Sequence, residues 1–227
     1  VGLGDADRVL DLGCGPGQLA IGFGYLAGDV IGLDPEPRML AAATAAALGL
    51  SPNVQFRQGS SYSLDATLGR FRLITMGRSF HWMDRAATLD RLDEMTERDG
   101  AVALFHDTHL EVPENDWRKR WREIIERYAS DDPLRQRRRA GTWRSHEAIL
   151  LESPFCRLER VSLVERLVST NATLIERALS MSSTSRARIG ERVDSLLQDL
   201  SRLLAEVAPS GTVTEVLEWS ALIARRQ

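Results

Sequence analysis

The sequence predicts an α/β fold, in which a mostly parallel sheet of seven strands has helices on both faces and an antiparallel last strand. Three observations lead to this prediction. In the first half of the chain, short strands that are apolar nearly throughout alternate with helical segments, which is typical of a parallel sheet buried on both faces. A glycine-rich turn follows the first strand. Near the end of the chain, an amphipathic helix precedes one last, long strand, which is typical of a hairpin-like end to the sheet.

The first half is predicted to hold five strands and three helices. Gly22 and Gly24 each weaken the first helix by about 1 kcal/mol relative to alanine. The second helix begins after Pro35 and Pro37 and ends near Gly49, which suits the preference of proline for first turns and of glycine for helix ends. A turn is predicted at 99–100. The predicted strands are 8–11, 30–33, 54–56, 71–76 and 101–105, and the predicted helices are 18–27, 37–49 and 85–97.

The second half is predicted to differ in character from the first. Residues 117–128 form a helix that presents Trp117, Trp121, Ile124, Ile125 and Tyr128 on one face. Residues 155–168 suit a strand or a strand pair. An amphipathic helix carries Leu196, Leu197, Leu200, Leu203, Leu204 and Val207, and it ends before Pro209 and Gly211. Residues 212–224 form the last strand. There is no internal repeat and no low-complexity linker, so the sequence predicts a single domain over 1–227.

Composition and charge exclude several classes of protein. The formal net charge is −3, whereas domains that grip nucleic acid usually carry a basic balance, so a nucleic-acid partner is not expected. No apolar run approaches the roughly 18 residues that span a bilayer, so no membrane partner is expected. The two cysteines, Cys14 and Cys156, are far apart and suggest neither a disulfide framework nor a zinc site. We therefore expect a cytoplasmic protein, monomeric or homodimeric, and the start at Val1 suggests that a native N-terminal segment is missing.

The glycine loop Asp11-Leu12-Gly13-Cys14-Gly15-Pro16-Gly17 is the first candidate site. Its glycines allow a sharp turn and let a ligand approach without a β-carbon in the way. The G-x-G-x-G spacing differs from the G-x-G-x-x-G of dinucleotide sites, and no lysine followed by serine or threonine makes it a P-loop. The alternative is a tight turn without a ligand.

Asp34 is the second candidate, because it closes the second strand 17 residues after Gly17. A carboxylate there can accept hydrogen bonds from both hydroxyls of a ribose. The alternative role is an N-cap for the helix that follows Pro35.

These residues resemble a known family. The run 9–17 closely resembles motif I of the class I S-adenosylmethionine-dependent methyltransferases, and 31–35 with Met39-Leu40 looks like their second motif. Residues 59–64 lie where the family places its adenine-binding turn. Residues 71–84 resemble the fourth motif of the small-molecule branch called methyltransferase type 11. The resemblance covers about residues 8–107 and implies a Rossmann-like fold, with 1–110 as the cofactor-binding half and 111–227 as a substrate-side half with capping helices.

The resemblance also implies a set of cofactor contacts. Asp11 and Gly13 would face the methionine part of S-adenosylmethionine, and Asp34 would bind the ribose. Gly77 would offer its carbonyl to the ammonium group. Ser60 stands where many relatives have an aspartate, so its hydrogen bond to the adenine amino group would be weaker. The whole implied cofactor set is Asp11, Gly13, Cys14, Gly15, Gly17, Asp34, Pro35, Met39, Ser60, Ser61, Tyr62 and Gly77.

Methyl transfer needs positioning of the acceptor and exclusion of water, and a hydroxyl acceptor also benefits from a general base. His81 and His106 are the candidate bases, because both follow strands at the edge of the sheet where α/β folds bind ligands. His81 is equally well explained as part of a packing segment. The implied substrate residues are Arg78, Ser79, Phe80, Trp82, Trp143 and His146.

Three further patterns in the sequence each allow two interpretations. His106-Asp107-x-His109 could hold a metal, although its short spacing fits poorly, and no metal is expected. The aromatic residues Trp117, Trp121, Tyr128 and Trp143 are either core or an apolar substrate box. The run Arg135–Arg139 is either a solvated face or a clamp for a phosphate or carboxylate.

The leading prediction is thus a methyltransferase that acts on an oxygen or nitrogen of a small molecule. Methylation of tRNA is the alternative reaction, against which the acidic net charge and the absence of an appended RNA-binding module count. A protein that binds S-adenosylmethionine without transferring its methyl group is the alternative from another class, because the loop and Asp34 report binding and not chemistry.

Overall fold

A computed structural model describes residues 2–129, 141 and 143–227 of the chain. Within these residues there are seven strands and eight α-helices, three of which were not predicted. The strands are β1 (Arg8–Leu12), β2 (Asp29–Asp34), β3 (Val54–Gln58), β4 (Phe71–Gly77), β5 (Thr96–His109), β6 (Arg157–Thr170) and β7 (Thr212–Arg225). The helices are α1 (Gln18–Gly24), α2 (Pro37–Ala47), α3 (Arg85–Met95), α4 (Trp117–Tyr128), α5 (His146–Leu151), α6 (Asn171–Ser180), α7 (Arg186–Ile189) and α8 (Val193–Val207).

The strands form one sheet in the order β3-β2-β1-β4-β5-β7-β6. Strands β1 to β5 pair in parallel, with Leu10 opposite Ile31 on one side and opposite Ile74 on the other. The end of the sheet formed by β5, β7 and β6 is antiparallel. The predicted fold class is confirmed. Because β1, β2 and β4 are parallel neighbours, their carboxyl ends, and the loops that follow them, lie at one edge of the sheet.

Several predicted element bounds are wrong, including the ends of α1 and α3 and both ends of β5. Helix α1 ends at Gly24 and not at 27; a β-carbon at Gly24 would lie 2.7 Å from Val54 Cγ2, so this glycine allows a close approach to β3. The turn predicted at 99–100 is part of β5, which begins at Thr96. The pairing of β4 with β5 shifts its register there, and Gly100 lies against the carbonyl groups of Phe71 and Arg72.

The chain divides into two compact units. Unit 1 comprises residues 1–106, 144–162 and 220–227, and unit 2 comprises 107–143 and 163–219. The described residues of each unit include their own buried clusters. In unit 1 the largest cluster contains residues of β1, β2, β4 and α3, among them Leu10, Ile74 and Leu89. In unit 2 the cluster joins α4, α6 and α8 through Trp121, Leu174 and Leu200. The predicted apolar faces of α4 and α8 are therefore confirmed.

None of the described helices is long and apolar enough to cross a membrane.

Candidate functional site

The glycine loop leaves β1 and turns directly over the end of β2. The N–H groups of Gly13 and Cys14 both donate to the carbonyl oxygen of Leu33, at 2.8 and 2.9 Å. Gly13, Gly15 and Gly17 have φ values of 73°, 53° and 84°, which lie in the left-handed region that favours glycine. The sequence needs glycine at these positions because a chain that turns this sharply from strand to helix passes through that region three times.

The three glycines differ in what surrounds them. A β-carbon at Gly13 would lie 2.5 Å from that of Ser79, and one at Gly17 would lie 2.7 Å from Phe56 Cζ, so these two permit close packing within the protein. A β-carbon at Gly15 would meet no atom of the described residues within 4 Å. The backbone at Gly15 thus borders open space on the side where other residues carry a side chain.

Asp34 lies beside that open space. Its Oδ2 accepts a hydrogen bond from the Gly15 N–H, and its Oδ1 accepts one from the Glu36 N–H, both at 2.9 Å. The residue is only 8% exposed. The N-cap of α2 is Glu36, whose side chain accepts from Arg38 N, so the structure excludes the alternative in which Asp34 caps that helix. The Asp34 carboxylate instead fixes the glycine loop and the start of the next turn.

Asp11 points into the protein. Its Oδ2 accepts from Ala20 N at 3.2 Å, its Oδ1 accepts from the Thr75 hydroxyl at 3.0 Å, and the residue is 1% exposed. Burial, opposed by these two hydrogen bonds and reinforced by the charge of Asp34, raises the pKa of Asp11 to about 7. The resemblance led us to expect this carboxylate to face the cofactor, whereas the structure uses both its oxygens to join β1, β4 and α1.

Cys14 also faces inward. Its Sγ would lie 3.0 Å from a β-carbon at Gly32, and burial, followed by the charges of Asp11 and Asp34, raises the pKa of the thiol to about 12. The side chain is therefore a neutral packing group, and only the backbone of Cys14 borders the loop.

The turn after β3 is held by serines. Ser60 Oγ accepts from Tyr62 N at 3.3 Å, and Ser63 Oγ accepts from Ser60 N at 2.9 Å, which makes a reciprocal cap. Ser61 is buried, and its carbonyl oxygen accepts from Arg91. Tyr62 is 66% exposed. The Ser60 hydroxyl, expected to reach an adenine amino group, is thus already an acceptor for the local turn.

The loop after β4 returns to the glycine loop. Ser79 is buried, and its hydroxyl donates to the carbonyl oxygen of Leu12 at 2.7 Å, which explains why Gly13 has no room for a side chain. Arg78 has a φ of 56°, the one left-handed non-glycine residue among the described residues. A β-carbon at Gly77 would lie 2.7 Å from Leu19 Cδ1 of α1. The ends of β1, β2 and β4 therefore converge on one stretch of backbone around Gly13 to Gly15.

Comparison with known proteins agrees with this geometry. Residues 9–100 match the methyltransferase domain family. An uncharacterised methyltransferase of Mycobacterium tuberculosis is 27% identical over 155 residues, which are 68% of this chain and 56% of that protein. The ubiquinone biosynthesis O-methyltransferase of Azorhizobium caulinodans is 31% identical over 98 residues, 43% of this chain and 39% of that protein. The predicted resemblance is confirmed.

A solved structure shares the fold of this chain. It is an S-adenosylmethionine-dependent methyltransferase of Geobacter sulfurreducens in complex with S-adenosylhomocysteine, with a TM-score of 0.53 and 17% identity. The likeness covers 98% of this chain and 85% of that one. The chain spans only 38% to 56% of the length of the curated relatives it matches.

Within residues 9–100, the segment that follows β4 is buried in part. Phe80 is 2% exposed and belongs to the core of unit 1, which does not fit its expected contact with a substrate. Its ring lies 5.1 Å from that of His146, whose Nδ1 is 3.2 Å from an Arg85 nitrogen. The rings of His81 and Trp82 lie 5.0 Å apart, and Trp82 is 52% exposed. Among the predicted residues of this segment, Arg78 and Trp82 are exposed and His81 is half-buried, whereas Ser79 and Phe80 are buried.

The other candidates lie beyond the matched residues 9–100. His106 has both ring nitrogens within 3.2 Å of the Ser220 hydroxyl. His109 Nε2 lies 2.8 Å from Glu215, so the two histidines have different partners, and the described residues contain no group of three metal-binding side chains. Trp143 belongs to unit 2 and is half-buried. Trp117 and Trp121 are core residues, which is the first of the two interpretations given for the aromatic residues. The arginine run 135–139 lies outside the described residues.

Sequence reasoning missed a cluster of ionic groups in unit 2. Glu215 of β7 is completely buried, and it accepts hydrogen bonds from His109, Ser169 and Arg177. Arg118 lies 3.4 Å from the same carboxylate. The one signal in the sequence is a glutamate within the otherwise uncharged start of the last strand, at 212–217.

Proposed function

We propose that this protein is an S-adenosylmethionine-dependent methyltransferase that transfers a methyl group to an oxygen or nitrogen of a small-molecule acceptor. One observation carries the proposal. A buried carboxylate, Asp34, lies against a glycine, Gly15, whose missing side chain leaves open space. A loop of this form, at the carboxyl edge of a parallel sheet, suits a ligand that approaches the backbone and carries adjacent hydroxyl groups.

The residues present fit the ribose of S-adenosylmethionine. A carboxylate offers about four lone pairs, and the backbone of Gly15 and Glu36 takes one on each oxygen of Asp34. One lone pair on each oxygen remains for the two ribose hydroxyls. Because both backbone bonds hold the carboxylate in place, little conformational entropy is lost when a ligand binds.

The remaining contacts extend from the same place. Pro35 and Met39 follow Asp34 directly, and Met39 is 44% exposed, so both can pack on the adenine. Tyr62, with its exposed ring, would border the adenine from the turn after β3. The backbone of Gly13, Cys14, Gly17, Ser61 and Gly77 completes the proposed cofactor site. Asp11 would act indirectly, by holding β1, β4 and α1 in position.

The cofactor supplies a methyl group on a sulfonium, which is already activated for displacement. The protein must therefore hold the acceptor in line and exclude water. For a hydroxyl acceptor, His81 or His106 would take the proton. On the acceptor side, the predicted residues remain Arg78, Ser79, Trp82, Trp143 and His146. Ser79 would act indirectly, through the hydrogen bond that its hydroxyl donates to the carbonyl oxygen of Leu12.

The comparisons support the proposal from another direction. The family match concerns the segment that carries the glycine loop and Asp34. The Geobacter protein with the same fold binds S-adenosylhomocysteine. The Azorhizobium relative is named for O-methylation in the biosynthesis of ubiquinone, a small molecule, which favours a small acceptor over RNA. We also propose a cytoplasmic location and a monomeric or homodimeric state, the latter to be measured by light scattering.

Two measurements test the proposal. Calorimetry with S-adenosylmethionine and S-adenosylhomocysteine should give saturable binding of both, and the absence of binding by either would overturn it. Transfer of radiolabelled methyl to a panel of small hydroxyl, carboxyl and amine compounds is then compared with transfer to bulk tRNA. Label in a small molecule supports the proposal. Label in tRNA, or cofactor binding without any transfer, would replace it by the corresponding alternative.

A further inference from the structure

Strand β6 is the outermost strand at one end of the sheet. It pairs with β7 on one side, and no strand of the described residues pairs with its other side. The strand runs without interruption for 14 residues, Arg157–Thr170, and contains neither proline nor glycine. An edge of this length presents a row of unpaired N–H and C=O groups, to which another strand can be added.

Strand β6 also exposes large apolar side chains. Val161, Leu163, Val164 and Val168 are between 53% and 72% exposed. Because successive side chains of a strand point to opposite faces, Val161 and Leu163 lie on one face, and Val164 and Val168 lie on the other. Edge strands of natural proteins are often short or covered, whereas β6 is long and exposed on both faces over most of its length. The edge is therefore suited to a partner strand.

The charged side chains of β6 indicate which partner strand fits. Three of its five charged residues already have a counter-ion within the chain, in the ion pairs Glu159–Arg225, Arg160–Glu147 and Arg166–Glu114. The other two, Arg157 and Glu165, are exposed and form no ion pair among the described residues. They carry opposite charges, and they lie on the same face of the strand because an even number of positions separates them.

A second copy of β6 would bring these two charges together. In an antiparallel pair related by a two-fold axis perpendicular to the sheet, one residue lies opposite itself, and residues equally far on either side of it lie opposite each other. With Val161 on the axis, Arg157 of each copy would lie opposite Glu165 of the other. On the opposite face, Leu158 of each copy would lie opposite Val164 of the other.

Charge specifies this register. With Ser162 on the axis, Glu159 would lie opposite Glu165, and any charged residue on the axis would lie opposite itself. Like charges directly opposite each other destabilise a strand pair, whereas opposite charges and apolar pairs stabilise it. Among the axis positions from 159 to 166, Val161 alone brings opposite charges together without also opposing like charges.

We propose that the exposed edge of β6 is a dimer interface, through which two copies of this chain join their sheets by antiparallel pairing of residues 157–165. Backbone hydrogen bonds between the copies would satisfy the edge, and the side chains just described would set the register. The proposal selects the homodimer from the two states given above and the surface that forms it. It needs neither S-adenosylmethionine nor methyl transfer.

Sedimentation velocity of the full chain measures the dimer at concentrations from about 1 to 200 μM, because a single strand pair is a small interface with a Kd expected in the micromolar range. Arg157→Glu and Glu165→Arg each place like charges opposite each other twice in the dimer, so each should weaken it about tenfold. The double variant exchanges the two charges and should restore the wild-type Kd. Arg166→Glu is the matched control, since it makes the same change of charge on the same strand outside 157–165.

A second measurement tests the register. Val161→Cys should form a disulfide-linked dimer on mild oxidation, because residues opposite each other in antiparallel strands have Cα atoms about 4.5 to 5.5 Å apart, within the range of a disulfide. Val164→Cys is the control. It should not form a linked dimer, because the two copies of residue 164 would lie about 20 Å apart along the strands.

Each outcome decides the proposal. Reversible dimerisation that both single variants weaken and the double variant restores supports it, as does cross-linking of Val161→Cys alone. A wild type that is monomeric up to about 200 μM overturns it, because an interface weaker than that would not be a specific one. A dimer that Arg157→Glu and Glu165→Arg leave unchanged, or that cross-links through Val164→Cys and not through Val161→Cys, also overturns it. None of these measurements contains S-adenosylmethionine, so their failure would leave the proposed methyl transfer standing, and the reverse also holds.

Discussion

The backbone N–H of Gly15 donates a hydrogen bond to Asp34 Oδ2 over 2.9 Å, and this bond joins the loop after β1 to the end of β2. The same carboxylate accepts from Glu36 N through its other oxygen. One side chain thus fixes the backbone of the glycine loop at Gly15 and of the turn at Glu36. The site is preorganised, so loss of the carboxylate should affect ligand binding and local structure separately, and both effects can be measured.

Asp34→Asn should weaken the binding of S-adenosylhomocysteine by about 1.5 to 3 kcal/mol, roughly tenfold or more, because it removes charge-assisted hydrogen bonds to the ribose. Calorimetry measures this. Asp29→Asn is the matched control, since Asp29 begins the same strand and pairs with Arg8 at its other end. An Asp34→Asn protein with wild-type affinity would reduce Asp34 to a residue that only shapes the loop.

Gly15→Ala should separate the cost of backbone strain from the cost of blocking a ligand. Gly15 and Gly49 both have positive φ, and a β-carbon at either meets no described atom within 4 Å. Each alanine variant should therefore lose about 1 to 2 kcal/mol of unfolding free energy from the left-handed conformation. Only Gly15→Ala should also weaken S-adenosylhomocysteine binding, by tenfold or more. Equal affinities of the two variants would argue against a ligand at the loop.

The sheet could be predicted because its strands carry their signal locally. Strands β1, β2 and β4 are apolar runs bounded by polar turns, and the structure gives them almost the predicted bounds. Helices α5, α6 and α7 were not predicted. Helices α5 and α7 have only six and four residues, and α6, whose apolar residues Leu174, Ile175, Ala178 and Leu179 pack on one cluster, shows its helical spacing over only ten residues. Strand β6 is exposed on both faces over most of its length, so it shows no alternation that would fix its ends.

The site was predicted in part for the same reason. The glycine loop and Asp34 lie in short motifs, so they could be recognised from their residue types and spacing. The inward direction of the Asp11 side chain could not be predicted, because it depends on a hydrogen bond from Thr75, 64 residues away. The Glu215 cluster draws partners from 38 to 106 residues away, and no local pattern reports such contacts.

Glu215→Gln should lower the free energy of unfolding by about 3 to 5 kcal/mol, because Glu215 is fully buried and the substitution removes the counter-charge of the partly buried Arg177 and Arg118. Glu218→Gln, on the same strand and half-buried, should have a small effect. Urea denaturation compares the two. Because the folded pKa of Glu215 lies at about 2, below its usual 4.5, its contribution is fully present above about pH 4.5 and is lost as the pH falls towards 2. Equal stability of the two variants at pH 7 would contradict a paired, ionised Glu215.

Asp11 should make the stability of this protein fall as the pH rises. The pKa of Asp11 in the folded protein, about 7, exceeds the usual 3.8. Below pH 3.8, Asp11 is therefore protonated in both the folded and the unfolded chain, and folding buries no charge at this position. Above pH 7 both are ionised, and the folded state bears the full cost, up to about 4 kcal/mol. Between these limits the protonated Asp11 can donate to Thr75 Oγ1 while the Thr75 hydroxyl donates to Leu10 O.

Asp11→Asn should remove this dependence, since an asparagine amide can make the same donation to Thr75 and its oxygen can accept from Ala20 N. The free energy of unfolding of Asp11→Asn minus that of the wild type should therefore increase by about 2 to 3 kcal/mol between pH 5 and pH 8. Asp90→Asn, an exposed position on α3, should keep the wild-type profile. Parallel pH profiles for Asp11→Asn and the wild type in chemical denaturation would show that Asp11 is ionised at pH 5 despite its burial, and that the two hydrogen bonds outweigh the desolvation of its charge.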